Sequence, residues 1–122
     1  MKITHAKDVT FRENVVDYSG RQVSHVDKGK STPPGFWCDE GCINAVVVNN
    51  FFTNSSSAIF IEVSAGGVVA SNVIESSGMG ITLSGSERVK VYNNTVSRTL
   101  ASITVNEDER SNGCNAVDAN RR

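Results

Sequence analysis

Short runs of alternating apolar and polar residues recur along this chain. Gly35-Phe36-Trp37-Cys38-Asp39, Ala58-Ile59-Phe60-Ile61-Glu62 and Gly80-Ile81-Thr82-Leu83-Ser84 each alternate with a period of two, as a half-buried strand does. Ser102-Ile103-Thr104-Val105-Asn106 opens another such run, and Lys2-Ile3-Thr4 closes a truncated first one. A second element follows each run: Val47-Val48-Asn49-Asn50-Phe51-Phe52, Val69-Ala70-Ser71-Asn72-Val73-Ile74 and Val91-Tyr92-Asn93-Asn94-Thr95-Val96. Its anchors Asn50, Asn72 and Asn94 are spaced by 22 residues, twice. An earlier copy reads Phe11-Arg12-Glu13-Asn14-Val15-Val16.

This repeat predicts an all-β solenoid. Each unit holds two or more short strands rich in Val and Ile, with Gly, Ser and Asn at the bends. One unit cannot bury its apolar face alone, so copies must stack, each hydrogen-bonded to the next at about 4.8 Å. The recurring Asn suits a bend, where its side chain can bond the backbone. Stacked in register, Asn14, Asn50, Asn72 and Asn94 predict a structural amide ladder. A leucine-rich repeat is the chief rival, since Val89-x-Val91-x-x-Asn94-x-Val96 mimics its central motif and the period is in range. The chain has only two leucines, Leu83 and Leu100, and the other half of each repeat alternates instead of reading as helix. A left-handed β-helix would need a six-residue period, which is absent.

The expected architecture is a right-handed single-stranded parallel β-helix of about four to five turns of about 22 residues. Residues 1–106 form the turns. Asn14 and Asn50 are 36 apart, so 14 residues exceed the repeat, and the polar stretch 19–34 ending Ser31-Thr32-Pro33-Pro34-Gly35 reads as an inserted loop. Residues 107–122 read as loop or frayed tail. Both ends of the stack should expose strand edges, which points to further sequence or to self-association.

Composition narrows the functional classes. With 12 basic and 13 acidic residues, a net charge of −1 gives nucleic-acid binding no electrostatic support. No apolar run approaches the roughly 20 residues of a membrane span. Met1 to Thr10 lacks the apolar region of a signal peptide, which suits a cytoplasmic protein, a mature form or a fragment. The odd count of three cysteines, Cys38, Cys42 and Cys114, argues against a disulfide framework and shows no zinc spacing. A buried Cys38 with two incidental thiols is expected, with a Cys38–Cys42 bridge as the alternative.

If Phe36, Cys38, Ile59, Ile61, Ile81 and Leu83 face inward, two columns face outward. One is Trp37, Phe60, Thr82 and Thr104. The other is Thr4, Asp39, Glu62, Ser84 and Asn106. Asp39 and Glu62 should then stand on adjacent turns about 4.8 Å apart at the backbone. Like charges so close raise one pKa, leaving an acid beside an ionised partner. Such a pair can serve glycosidic cleavage or hold Ca²⁺ through oxygen ligands. An exposed Trp37 or Phe60 would give a sugar ring a flat apolar platform. Within the insertion, His25, Lys28 and Lys30 could supply a base near this face. His5 looks incidental. Asn54-Ser55-Ser56 and Asn93-Asn94-Thr95 match the glycosylation acceptor pattern only weakly.

Over about residues 2–106, the alternating segments and the Asn-containing strands that follow them resemble bacterial right-handed parallel β-helix repeat proteins, the pectate-lyase-like superfamily. That resemblance implies a carbohydrate-active protein outside the cell or on its surface, a polysaccharide lyase or glycoside hydrolase. Asp39 and Glu62 would then be catalytic, and Trp37, Phe60, Ser84 and His25 would contact a polysaccharide or glycan. The alternative is a non-catalytic glycan-binding or structural module of a larger secreted or surface protein.

Overall fold

A computed structural model describes residues 1–19 and 32–108. All regular structure among them is β-strand: β1 (Lys2–Thr4), β2 (Thr10–Arg12), β3 (Val15–Asp17), β4 (Phe36–Asp39), β5 (Ile43–Val48), β6 (Phe51–Thr53), β7 (Ser57–Glu62), β8 (Ala65–Ala70), β9 (Val73–Glu75), β10 (Met79–Ser84), β11 (Lys90–Tyr92), β12 (Thr95–Ser97) and β13 (Ala101–Asn106). They form three sheets ordered β1-β4-β7-β10-β13, β11-β8-β5-β2 and β12-β9-β6-β3. Every pairing is parallel. The chain visits the three sheets in turn and returns to the first 22 residues later, as the pairing of Ile59 with Ile81 records. This is a β-solenoid. The uninterrupted repeats from β4 to β12 make three turns, and β1 to β3 pair below them.

Equivalent apolar residues form files down the interior. Ile3, Cys38, Ile61, Leu83 and Val105 align in the first sheet. Phe11, Val47, Val69 and Val91 align in the second, and Val16, Phe52, Ile74 and Val96 in the third. Phe36, Val47, Phe52, Ile59, Val69, Ile74 and Ile81 are completely buried there. Phe11 packs on Phe36 and Phe52, with ring centroids 5.2 and 6.2 Å away. Fully burying one such side chain contributes about 1.5–3 kcal/mol, so repetition of the files is the main source of stability.

The bends repeat as faithfully as the strands. Left-handed backbone recurs at Glu40, Val63 and Gly85, at Asn44, Gly66 and Arg88, at Asn49, Ser71 and Asn93, and at Asn54, Ser76 and Arg98. Val63, with φ of 44°, is β-branched in a region that such residues rarely enter. Each turn thus closes through four sharp corners. The predicted Asn ladder lines one of them. Asn14, Asn50 and Asn72 each donate from the backbone amide and from Nδ2 to the Oδ1 of the next asparagine, at 3.0–3.1 Å for the first pair and 2.9–3.0 Å for the last. Asn50, Asn72 and Asn94 also return an Nδ2 hydrogen bond to Phe11 O, Val47 O and Val69 O.

One corner departs from the repeat. The second turn carries an extra residue between β4 and β5, where Glu40 and Gly41 both have positive φ. Cys38 and Cys42 bracket it and are joined by a disulfide, their Cα atoms 6.1 Å apart. Cys42 is therefore no incidental thiol. It lies 2% exposed in the core beside Cys38, and the bulge is what brings a four-residue separation within bonding reach.

Candidate functional site

The outer face of the five-stranded sheet is built by the residues that alternate with the core. Trp37 pairs in register with Phe60 and Asp39 with Glu62, and Thr82 and Ser84 continue the two files on β10. Both outward columns therefore exist, with the two carboxylates on directly neighbouring strands.

Their surroundings differ from an open groove. The Trp37 and Phe60 rings stack with centroids 5.6 Å apart and planes 7° from parallel. From β1, on the opposite side of β4, the Lys2 ammonium sits 4.1 Å from the centre of the Trp37 ring. Both faces of the indole are thus covered, one by an aromatic ring and one by a cation attracted to its π-cloud. Trp37 and Phe60 are both half-buried in this stack.

The carboxylates are tied into the same stack. Trp37 Nε1 donates to Glu62 Oε2 at 2.9 Å, and Lys2 Nζ lies 2.6 Å from Asp39 Oδ2. Asp39 is 6% exposed and Glu62 8%. The alternation correctly sends both side chains away from the core, yet they are buried under their neighbours. Lys2, Trp37, Asp39, Phe60 and Glu62 together make a clasp across the first three strands of the sheet.

Ser84 stands one turn further along, 5% exposed, accepting from Asn106 Nδ2 at 2.9 Å and donating to Asp108 Oδ2 at 3.4 Å. His25, Lys28 and Lys30 lie outside the described residues. His5 is exposed at a bend with positive φ. Away from the clasp, a groove of about 560 Å³ is lined by Tyr18, Asn54, Ser55 and Ser76 among others. Next to it the Asp17 carboxyl is held below its ordinary range, chiefly by the Ser19 amide and then by the Asn54 side chain and the Ser19 hydroxyl. Sequence periodicity gave no sign of this second polar cluster, because its members sit at bends.

Against known proteins, the family described as periplasmic copper-binding protein (NosD) matches residues 3–117. The chain belongs to the NosD family. No curated protein and no solved structure gives a significant match. The family's description raises a metal, and the donors among the described residues do not fit one. Among the described residues no three His, Cys, Asp or Glu side chains gather closely enough to hold an ion. Among the described residues the thiolates that copper would favour are spent at Cys38 and Cys42 in a disulfide, and Cys114 lies outside the described residues. Nor does the expected Ca²⁺ site at Asp39 and Glu62 find support, since among the described residues no third His, Cys, Asp or Glu joins these two acids. Among the described residues, no helix is long and apolar enough to cross a membrane.

Proposed function

We propose that this chain is a non-catalytic module of an extracytoplasmic NosD-type protein, its strands wound in the right-handed sense usual for parallel crossovers. The outer face of its five-stranded sheet acts as a structural clasp. The observation that carries this reading is the mutual engagement of the clasp groups: Glu62 accepts from the Trp37 indole, Asp39 pairs with Lys2, and both indole faces are covered. A general acid must release its proton to a leaving group within reach, and buried carboxylates bound to their own neighbours are poorly placed for that. The Cys38–Cys42 disulfide supports an oxidising compartment, in keeping with the periplasmic description of the family. Copper has no part in this reading, because the described donors do not fit it.

A carbohydrate-active enzyme is the second reading. It is favoured by the register that sets Asp39 directly beside Glu62, the juxtaposition a cleaving pair requires. Depolymerisation assays on acidic and neutral glycans separate the two, run on the wild type and on Asp39→Asn and Glu62→Gln. The clasp reading expects no turnover by any of the three and a lowered Tm in both variants. Turnover by the wild type that disappears in a folded variant would overturn it.

A further inference from the structure

The two bonded sulfurs belong to different files of the solenoid. Cys38 stands in an interior file with Ile3, Ile61 and Leu83. Cys42 stands in a file of serines: its amide donates to Ser64 Oγ at 3.2 Å, and the Ser64 amide donates to Ser86 Oγ at 3.0 Å. The hydroxyls of that file donate in turn to carbonyls. Ser64 Oγ bonds Glu62 O at 2.7 Å, and Ser86 Oγ bonds Ser84 O at 3.1 Å and Ile61 O at 3.2 Å. Around Cys42 the equivalents of the last two are Glu40 O and Ile3 O, and Ile3 O lies 4.0 Å from Cys42 Sγ. A free thiol is a small hydrophobe with a weak S–H donor. As thiols, Cys38 suits the apolar file and Cys42 the hydroxyl file. The repeat therefore holds a place for both sulfurs with their bond open as well as closed.

While closed, the bond confines Asp39 within the ring from Cys38 to Cys42. Asp39 there meets Lys2 at 2.6 Å, and Lys2 caps the Trp37 ring. The same ring holds Glu40 and Gly41 at successive positive φ of 49° and 74°, where the corresponding corners carry one such residue each, Val63 and Gly85. We infer that Cys38 and Cys42 are a reversible redox couple that latches the clasp. A dithiol reductant supplies two electrons and two protons. One of its thiolates attacks Cys42 Sγ at the bend, and the S–S bond breaks with Cys38 leaving as a thiolate that takes up a proton. The second thiol of the reductant attacks the mixed disulfide, releases Cys42 to be protonated in its turn, and closes the reductant's own disulfide. With the ring open, the extra residue is no longer confined, Asp39 withdraws from Lys2, and the indole loses its cation cap. Both sulfurs are buried, 0% and 2% exposed. Exchange therefore waits on opening of the bend, where Glu40 is exposed, and not on unfolding of the stack. The link to Trp37 rests on the clasp reading; the couple itself does not.

The full chain, with Cys114→Ser so that only the pair exchanges, is equilibrated without denaturant in dithiothreitol buffers of graded reduced-to-oxidised ratio. Alkylation and mass spectrometry count the thiols, far-UV circular dichroism reads the fold, and the emission of Trp37, the chain's single tryptophan, reads the clasp. Cys38 and Cys42 should gain their two labels together in one reversible transition, with the dichroism retained and Trp37 emission moved to longer wavelength. Asp39→Asn should label in the same way with no such shift, because its ion pair is already gone. Labelling that needs denaturant, or that accompanies loss of the dichroism, would overturn the couple. Labelling with the fold retained but Trp37 emission unchanged, or shifted equally in Asp39→Asn, would overturn the latch and count against the clasp, while leaving the couple standing.

Discussion

Asn72 shows how much a single side chain carries in this fold. It is 1% exposed, accepts from Asn50 on one turn, and donates to Val47 O and to Asn94 on the next. Removing the amide strands several buried partners at once. Each left unsatisfied costs about 1–3 kcal/mol. Asn72→Ala should therefore lower stability by about 3 kcal/mol, and Asn94→Ala, at the partly exposed end of the ladder, by about 1 kcal/mol. Urea denaturation of the two variants checks the difference; equal losses would mean that the ladder does not act as a chain. Asp17 gives a pH signature. Its folded pKa is lowered, chiefly by the Ser19 amide, so the stability it contributes is present above the ordinary carboxylate pKa. That contribution is lost as pH falls through the lowered value. Asp17→Asn should flatten this part of the stability–pH curve below about pH 4, and an unchanged curve would contradict it. The ladder could be read from the sequence because its asparagines repeat at fixed spacing. The Asp17 cluster could not, since Ser19 and Asn54 meet Asp17 through a bend and a neighbouring turn.

At the scale of the strands and bends, periodicity of two told which side chains leave the core and which line it. It did not tell what covers the outward ones. Lys2 reaches Trp37 only because β1 pairs with β4 across 35 residues that include the insertion, and the tilt of the indole toward Glu62 is a side-chain choice with no trace in spacing. The disulfide was obscured for a related reason. The repeat spacing shows one extra residue near Cys42, but not that it bulges the bend so that Cys38 and Cys42 come within bonding reach. Closing so short a loop constrains the unfolded chain modestly. Reduction, or Cys38→Ser with Cys42→Ser, should cost about 2 kcal/mol, measured by denaturation with and without reductant. No loss on reduction would mean that the bend holds without its staple. Gly67 makes a sharper test of packing between turns. Its φ is 120°, and an added Cβ would collide with the Ala45 carbonyl one turn below. Gly67→Ala should destabilise by about 3 kcal/mol; a loss under about 1 kcal/mol would mean that β5 and β8 are not so closely apposed.

Over the whole molecule, the solenoid converts a one-dimensional repeat into vertical files, and each file is stabilised by what lies above and below it. The interior files are apolar and the corner file is amide. The outer file beginning at Lys2 is a cation, an indole and a phenyl ring, flanked by two carboxylates. The functional account rests on these outer groups serving one another. The most direct test is a double-mutant cycle between Trp37→Phe, which keeps a ring but removes the indole donor, and Glu62→Ala, with stability read by far-UV circular dichroism. A charge-assisted hydrogen bond held under its neighbours predicts a coupling of about 1–2 kcal/mol between the two sites. Strictly additive effects would contradict the account.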